Sequence, residues 1–518
     1  MALVVRGRVV PLSGDPSLSP EPMTAFRGRV WIGDDGLVAA VTRGTRAGPP
    51  GFADAPRVDV GDDLVLPGLV DLHNHLAYDT LPLWVEPRQQ EPFLHHNSWP
   101  RARSYAASVT WPAYAFVTAA PEELLAYVET KAIVGGTTTV QGSPPKNRPR
   151  DGWLVRNVED ETFGTGNANL VYAATLTLKP AVLADRANKM RAGSTFIYHC
   201  AEGQPGSVVA REFGDAADAG CLQPHFVAVH CCAADRTAFE RWRTAGGAGA
   251  VVWSPFSNLW LYGTTTDVPA ARAAGITVCL GSDWAPSGTK HVLGEIKVAR
   301  LAADAHGWAL SDADLVQMVT SDAGDVLRRG WGRQVGRLQP GAIGDVLVVA
   351  AGRGADPAAT VVAATERDVR LVVVDGRPRY GEPALMAQAG AVGCTRLTVA
   401  GEIRHLALHR PGDETAPWEW TDVVDRLEEV RADPKGQIEQ GLGRLAAWAG
   451  PLDDRGAPLR LALDMPTGLS PVGGLPKDLG QVVVPPLESL SHDEAWLTAL
   501  HGRGFHADLL DGLARYYS

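Results

Sequence analysis

The sequence has few cysteines and no long apolar segment, and both features exclude some classes of protein. Six cysteines are spread over 518 residues, with a spacing that matches neither a zinc finger nor a disulfide framework. We therefore expect reduced thiols, as in a cytoplasmic protein. No run of about 20 apolar residues exists, so no membrane span is expected. Residues 1–8 also lack the apolar core of a signal peptide.

An excess of positive charge is absent as well. The formal net charge is −11 at pH 7, which argues against a nucleic-acid partner. Hydrophobic residues make up 45% of the chain and charged residues 21%, which is ordinary for a globular protein. The length allows two or three domains with sizeable cores.

Short strands and turns occupy both ends of a large middle region. The strand-like segments are Leu3–Val10, Arg29–Ile32, Leu37–Val41, Gly344–Ala350 and Val369–Gly376. Gly33–Gly36 is a hairpin turn signal between two of them. Two half-sets of strands that flank a long middle predict one small β domain, built from residues 1–63 and 335–390.

Strands alternate with helices over residues 64–334, which is typical of a parallel α/β core. After a first strand from Leu64, the predicted strands are Thr137–Val140, Asn169–Leu178, Thr195–His199, His225–His230, Ala250–Ser254 and Ile276–Asp283. Pro121–Val134 is a predicted helix, and a capping box at Ser311 opens another to about Arg328. Seven strands with room for an eighth suit a (β/α)8 barrel, which takes about 250 residues.

The first strand ends in a pair of histidines. Leu64–Leu76 begins as a near-continuous apolar run, typical of a strand buried on both faces, and it ends in His73-Asn-His75. Residues two apart in a strand point to the same side, so both imidazoles can converge on one metal ion. Packing alone explains such a pair poorly.

Barrel enzymes place their chemistry at the carboxyl ends of the strands. The later strand ends carry His199, Glu202, His230 and Asp283. Three neutral imidazoles from His73, His75 and His199, with an oxygen from Asp283, suit Zn²⁺ or Fe²⁺ and leave a position for water. We expect one ion per chain.

These residues resemble the amidohydrolase superfamily, and within it the branch of cytosine and guanine deaminases and triazine chlorohydrolases. The matching segments are Pro67–His75, Gly136–Thr139, His199–Glu202, His230, Ser254–Asn258, Gly281–Asp283 and Gly341–Asp345. The resemblance covers roughly residues 1–390. It implies a (β/α)8 TIM-like barrel with a small β-sandwich domain built from both flanking segments.

The resemblance also implies roles for the polar residues. Glu202 would carry a proton from the attacking water to the leaving nitrogen, and His230 would stabilise the developing oxyanion. Asp283 would bind the metal and help to deprotonate the water, as a general base must lie within hydrogen-bond reach. The implied reaction is hydrolysis of a carbon–nitrogen bond in a small molecule, with deamination of a heterocycle or amidine-like group favoured.

Two alternatives stay open at this point. Binuclear relatives use a carboxylated lysine at the end of strand four, and Lys179 falls near that place. A modified Lys179 would favour cyclic or linear amide hydrolysis with two metals, although a solvated lysine before a proline turn is the preferred interpretation. A non-catalytic scaffold of the same fold is the second alternative, and the complete ligand set argues against it.

Several further residues are candidates for substrate binding. His95 and His96 lie in the long irregular segment after strand one, where loops shape a pocket. Trp284 offers an aromatic face, Ser287 a hydroxyl and Asn258 an amide. The competing interpretation is an exposed loop position for the two histidines, core packing for Trp284 and turn capping for Asn258.

Residues 391–518 form a C-terminal extension of unknown role. Trp418–Val430 and Ile438–Ala449 are predicted helices, and Pro466–Pro486 is a predicted ordered loop. Barrels of this kind often pair, so a homodimer is an expectation, together with a small-molecule substrate and neither nucleic acid nor membrane as a partner.

Overall fold

The computed structural model describes residues 2–142, 154–158, 171–175, 177–246, 248–352, 356–410, 413–447, 463, 482–501 and 507–517. The predicted strand Asn169–Leu178 is described in part, and most of the predicted loop Pro466–Pro486 lies outside these ranges. Among the described residues, no helix combines the length and the apolar character needed to cross a membrane.

The strands of the described residues fall into a mixed set and a parallel set. In chain order they are β1 Leu3–Val9, β2 Phe26–Ile32, β3 Val38–Arg43, β4 Arg57–Pro67, β5 Leu69–Asp71, β6 Thr137–Val140, β7 Arg156–Asn157, β8 Val171–Ala174, β9 Thr195–Cys200, β10 Phe226–His230, β11 Ala250–Trp253, β12 Thr277–Leu280, β13 Val346–Val349, β14 Val369–Val374, β15 Arg377–Gly381, β16 Thr395–Val399, β17 Glu402–Leu406, β18 His409–Arg410 and β19 Asp413–Pro417.

The helices follow the alternation that the sequence predicts. In chain order the α-helices are α1 Trp111–Ala119, α2 Pro121–Val134, α3 Pro180–Arg191, α4 Arg211–Asp218, α5 Arg236–Thr244, α6 Pro255–Tyr262, α7 Val268–Ala273, α8 Val292–Ala305, α9 Asp312–Met318, α10 Ser321–Trp331, α11 Pro357–Ala363, α12 Pro383–Gln388, α13 Trp420–Ala432, α14 Pro434–Ala447, α15 Glu494–Leu500 and α16 Ala507–Asp511. The Ser311 capping box is present, but the helix predicted to reach Arg328 is two helices, α9 and α10.

Strands from the two flanks of the chain share one sheet. Its order is β16-β17-β15-β14-β13-β4-β1-β2-β3, with β4 and β13 paired antiparallel at the junction of the two flanks. The sheet continues past residue 390, because β16 and β17 extend its edge. The structure thus assembles a β unit from both ends, and its arrangement as a sandwich stays a prediction.

The apolar run at the first predicted barrel strand contains two strands of different sheets. Leu64–Pro67 closes β4 in the mixed sheet, and β5 begins the parallel set after Gly68. A side chain at Gly68 would lie 2.2 Å from the Thr138 side chain, so only glycine fits where the chain passes from one sheet to the other. The predicted single strand from Leu64 is therefore wrong in extent, because both segments are equally apolar and buried.

The eight strands β5 to β12 are parallel to their neighbours and lie in chain order. They form two sheets, β5-β6-β7 and β8-β9-β10-β11-β12. Apolar side chains of both sheets meet in one buried cluster that includes Val70, Val171, Val229 and Cys279. Mixed α/β content with parallel sheets is thus established. Because the strands are parallel, the carboxyl ends of the strands in each sheet lie at the same edge of that sheet.

The C-terminal extension packs on the parallel unit. Arg426 of α13 and Arg444 of α14 both donate to the carbonyl oxygen of Ala119, at 3.0 and 2.8 Å. Trp420 stacks on Tyr127 of α2 with ring centroids 5.3 Å apart. The two predicted extension helices correspond to α13 and α14, with bounds that differ by two to four residues.

Candidate active site

Four histidines and one aspartate converge where the parallel strands end. His73 and His75 follow β5, His199 and His230 belong to the ends of β9 and β10, and Asp283 follows β12. The His73 ring centroid lies 4.9, 4.5 and 5.0 Å from those of His75, His199 and His230. All five side chains are buried. We call these five residues the strand-end cluster.

Asp283 supplies the carboxylate of the strand-end cluster. Its Oδ1 lies 3.1 Å from His73 Nε2 and 3.5 Å from His75 Nε2. Burial opposes ionisation of Asp283, but the surrounding imidazoles hold its pKa well below the usual range. The group is therefore an anion at neutral pH. The ligand atoms of His73, His75 and Asp283 lie within 4.8 Å of one another, as do those of His73, His199 and His230.

Three imidazoles of the strand-end cluster, those of His73, His199 and His230, are neutral at pH 7. Burial lowers the pKa of His73, and it lowers the pKa values of His199 and His230 well below the ordinary value. The neighbouring rings of the cluster add to the effect at His199. Metal ligation requires the neutral ring, so burial prepares these nitrogens to bind a cation.

Backbone conformation at the strand ends is unusual. Ala201, His230 and Asp283 have φ angles of +54°, +67° and +64°, in the left-handed region that residues with a Cβ rarely adopt. Such conformations cluster at functional sites because the surrounding structure compensates for them. Here the three residues lie at or just after the carboxyl ends of β9, β10 and β12. The chain therefore turns where the residues of the strand-end cluster meet.

Glu202 lies beside the cluster and is buried. Its Oε2 is 3.3 Å from His199 Nδ1 and 3.7 Å from His230 Nε2, and its Oε1 accepts a hydrogen bond from the Tyr262 hydroxyl. Burial, assisted by the charge of Asp283, raises the pKa of Glu202 to about 7. A carboxyl group with that pKa exchanges a proton readily near neutral pH.

Asn258 fixes the ring of His230. Its Nδ2 lies 2.9 Å from His230 Nδ1, so the amide N–H donates and the ring hydrogen stays on Nε2. His230 Nε2 has no hydrogen-bond partner within the part of the chain that the structure describes. The nitrogen that carries the hydrogen therefore faces the site.

A cavity opens beside the strand-end cluster. Its lining consists of His75, Trp99, His199, Glu202, Asp283 and Trp284. The indoles of Trp99 and Trp284 lie 5.4 Å apart at a tilt of 43°, and together they form an apolar wall opposite the ligands. The cavity thus has one aromatic side and one ionisable side.

The structure separates the other predicted substrate-binding residues from this cavity. Trp284 lines it, whereas Ser287 accepts a hydrogen bond from the Trp284 indole and Asn258 holds His230. His96 is buried against two carboxylates, and His95 is half-buried with its ring nitrogen accepting from the Asn97 amide. A role of these four residues in substrate binding stays a prediction, since a loop sequence does not fix which residue faces inward.

Lys179 is exposed and lies outside the strand-end cluster. It precedes α3 as the N-terminal cap residue, followed by Pro180. This position agrees with the preferred interpretation of a solvated lysine. The described residues therefore bring no lysine of strand four to the ligands.

Two buried aspartates near the strand-end cluster, Asp71 and Asp79, were not predicted as site residues from the sequence. Asp71 accepts from the Ser282 hydroxyl and amide, which ties β5 to the turn after β12. Burial raises the pKa of Asp71 to about 7 and that of Asp79 to about 6. Asp71 precedes His73 by two residues, and this period-two spacing is the one signal that could have identified it.

A second buried group of imidazoles and carboxylate lies elsewhere, between the parallel unit and the C-terminal extension. It consists of His291, Glu366 and His492, which we call the tail cluster, with ligand atoms within 4.8 Å of one another. Glu366 Oε1 lies 3.0 Å from His291 Nε2 and 2.6 Å from His492 Nδ1. The Gly294 amide donates to His291 Nδ1 at 3.4 Å, so the His291 ring hydrogen points at Glu366.

Comparison with known proteins agrees with this site. Residues 190–379 match the amidohydrolase family, a stretch that contains His199, Glu202, His230 and Asp283. This chain carries an amidohydrolase family domain. The chain is therefore a hydrolase that acts on carbon–nitrogen bonds other than peptide bonds, and the family is metal-dependent.

Curated relatives align with about three quarters of this chain. A 5-methylthioadenosine/S-adenosylhomocysteine deaminase of Desulfitobacterium hafniense is 24% identical over 427 residues, which are 74% of this chain and 94% of the relative. The protein of the same name from Syntrophobacter fumaroxidans is 27% identical over 420 residues, covering 72% and 92%.

Solved structures share the fold of this chain. A zinc-bound adenosine deaminase from Xanthomonas campestris has a TM-score of 0.57 at 16% identity and covers 85% of this chain and 98% of its own. A triazine hydrolase variant has a TM-score of 0.56 at 19% identity, covering 73% and 94%. At these identities the likeness shows the fold alone.

Proposed function

We propose that this amidohydrolase is a mononuclear metal-dependent deaminase of a small planar heterocycle. The observation that carries the proposal is the convergence of the strand-end cluster and Glu202 on one small aromatic-walled cavity. Relatives named as 5-methylthioadenosine/S-adenosylhomocysteine deaminases, and structural neighbours named as guanine and adenosine deaminases, support the reaction class.

The proposed ligands are His73, His75, His199 and Asp283, which hold one Zn²⁺ or Fe²⁺. The residues fit such an ion, because all three rings are buried, those of His73 and His199 are neutral, and Asp283 is an anion. A divalent ion bound there lowers the pKa of a water molecule towards neutrality and so supplies hydroxide. His230 stays outside this ligand set, because Asn258 keeps its ring hydrogen on the nitrogen that faces the site.

Glu202 and His230 divide the remaining chemistry. Glu202 takes a proton from the attacking water and passes it to the leaving nitrogen, a task that suits its pKa of about 7. The Nε2–H of His230 donates to the ring nitrogen or oxygen on which charge develops, as a preorganised donor does in a dry site. Asp283 accepts a hydrogen bond from the same water.

The lining of the cavity favours a planar ligand. Trp99 and Trp284 both line it beside the proposed ligands, and a flat ring packs well on an indole face. A heterocycle therefore fits with its flat face against one of these two side chains.

The parallel strands of the proposed enzyme close into a (β/α)8 barrel. Support comes from the contact between the ends of the first and last strands, where the Asp283 amide donates to the His73 carbonyl at 2.9 Å. The His75 amide donates in turn to the Asp283 carbonyl at 2.7 Å. With residues 335–390 and 1–63 in the β unit, the catalytic residues all lie at the carboxyl edge of the barrel.

An ammonia-release screen tests the proposed function. The zinc- or iron-loaded protein is assayed with guanine, cytosine and amino-triazines, and in parallel with 5-methylthioadenosine and S-adenosylhomocysteine, with Glu202→Gln as the inactive control. We expect ammonia release from at least one of these heterocyclic amines, and a much lower rate from Glu202→Gln. No turnover of any amine would overturn deamination.

A further inference from the structure

Glu202 follows a turn that a second buried carboxylate holds in place. The turn comes directly after β9, at Ala201, whose φ is +54°. The Ala201 amide donates to Glu212 Oε2 at 3.0 Å, and the Thr177 hydroxyl donates to Glu212 Oε1. Glu212 belongs to the first turn of α4 and is buried. Because a left-handed residue with a Cβ needs compensating contacts, Glu212 stabilises the turn that directs Glu202.

The ring of His96 lies between the two glutamates. Its Nε2 is 3.0 Å from Glu212 Oε1, and its Nδ1 is 3.6 Å from Glu202 Oε2. The His96 amide also donates to the Glu202 carbonyl at 3.1 Å. One loop residue therefore contacts both the backbone and the carboxylate of Glu202.

The charges of this arrangement are consistent with a bridging imidazole. Two buried carboxylates this close together would repel each other without a donor between them. Burial alone would lower the pKa of His96, but the hydrogen bond to Glu212 and the charge of Glu202 raise it above the ordinary value. His96 thus offers a hydrogen to Glu212 and positive charge to Glu202.

A second support reaches Glu202 from the opposite side. The Tyr262 hydroxyl donates to Glu202 Oε1 and accepts from the Trp99 indole N–H at 2.8 Å. Since Tyr262 holds one carboxylate oxygen and His96 lies beside the other, the plane of the carboxylate is fixed by contacts on both sides.

We propose that His96 and Glu212 are positioning residues that hold the Glu202 carboxylate in its working orientation. The proposal rests on the proposed function, because both residues act through Glu202. It replaces the sequence-based prediction that His96 binds substrate. Neither side chain lines the cavity, so their loss should lower kcat and leave KM nearly unchanged.

The test uses Glu212→Gln and His96→Asn, with Asp215→Asn on the same helix as the matched control. We expect kcat to fall about 10- to 100-fold in the first two, as for other supporting contacts behind a catalytic site. The control and the metal content of all variants should stay at wild-type values. The double variant should lose about as much as the worse single one, because contacts in one network are not additive.

Crystal structures of the metal-loaded variants provide a readout that does not depend on turnover. We expect the Glu202 carboxylate to rotate away from its wild-type position in both single variants. An unmoved Glu202, a kcat within about twofold of wild type in both, or a raised KM at unchanged kcat would overturn the proposal. If the wild type releases no ammonia, the proposed function fails, and the crystal structures still decide the positioning role.

Discussion

The described residues include two buried groups that combine imidazoles with a carboxylate. The two groups differ in the number of imidazole rings around that carboxylate. In the tail cluster, Glu366 accepts from both His291 and His492, and its lone pairs are directed at those hydrogens. In the strand-end cluster, four buried rings surround the single carboxylate of Asp283. A cavity also opens beside the strand-end cluster. An excess of nitrogen lone pairs beside open space, rather than burial of histidines as such, distinguishes a metal site from a structural clamp.

The largest expected effect comes from removing the proton carrier of the strand-end site. Glu202→Gln keeps the shape of the side chain but cannot take up a proton, so kcat should fall by about 10²- to 10⁴-fold. The metal content should stay at the wild-type value, because Glu202 is not a proposed ligand. Steady-state kinetics on the best substrate of the screen, with metal analysis, measures both. More than a tenth of wild-type activity would contradict the role.

The next effect concerns the buried ion pair by which the extension docks. Lys290 donates to the Glu488 carboxylate and, at 2.8 Å, to the Ser489 hydroxyl, and the Glu488 amide donates to the Thr80 carbonyl. Lys290→Met leaves Glu488 buried without its cation, which costs about 3–5 kcal/mol. We expect a lower melting temperature by calorimetry and faster proteolysis within residues 482–517.

A compensating change sharpens that result. Replacing Glu488 by Met together with Lys290 removes both charges, and such exchanges are often neutral. The double variant should therefore regain most of the lost melting temperature. A double variant as unstable as Lys290→Met would show that the pair is not what holds the extension.

A smaller effect is expected at the tail cluster itself. Glu366→Gln exchanges two charge-assisted hydrogen bonds for weaker ones, with a cost of about 1.5–3 kcal/mol. Because His291 and His492 lie outside the active site, kcat and metal content should not change. Melting temperature, kcat and bound metal measured on one preparation decide this. Loss of metal in this variant would show that the ion binds at the tail cluster and not at the strand-end cluster.

The smallest effect is a pH dependence that the tail cluster adds to stability. Burial lowers the pKa of His492 to about 4 against the opposing charge of Glu366, whereas an unfolded histidine titrates near 6.5. Between these values the unfolded chain binds more protons, so this contribution is complete above about pH 6.5 and declines as the pH falls towards 4. His492→Gln should show a shallower fall in melting temperature from pH 7 to 5. Parallel curves would contradict the assignment.

Local sequence predicted the strand-end cluster because strand periodicity and chain order suffice to place it. His73 and His75 follow an apolar run, and His199, His230 and Asp283 each end a short buried strand. The parallel packing of these strands then brings their ends together. The distances between these residues were not needed to predict that they meet.

The tail cluster and the environment of His96 were not predictable in the same way. His492 contacts Glu366 across 126 residues, and His96 contacts Glu212 across 116. No local pattern encodes such pairs, since the choice of partner depends on how loops and the extension pack. For the same reason the sequence left open whether His95 and His96 face a pocket or solvent, and the structure buries His96.

One missed element did carry a signal. Thr395–Val399 alternates buried and exposed residues, and Ala400 and Gly401 join it to Glu402–Leu406. Both joining residues have positive φ, at +48° and +79°, as in a type I′ hairpin turn. The period-two pattern before that turn could have assigned Thr395–Val399 to the β unit rather than to the extension. The second strand carried no such signal, because it exposes Ile403 and buries Arg404.

The most direct test of the distinction between the two clusters is the metal content of three proteins prepared without chelator. Wild type, His73→Ala and His492→Ala are compared by mass spectrometry after loading with zinc or iron. We expect about one ion per chain in the wild type and in His492→Ala. We expect almost none in His73→Ala, because a mononuclear site needs all its ligands. Metal retained in His73→Ala and lost in His492→Ala would contradict it.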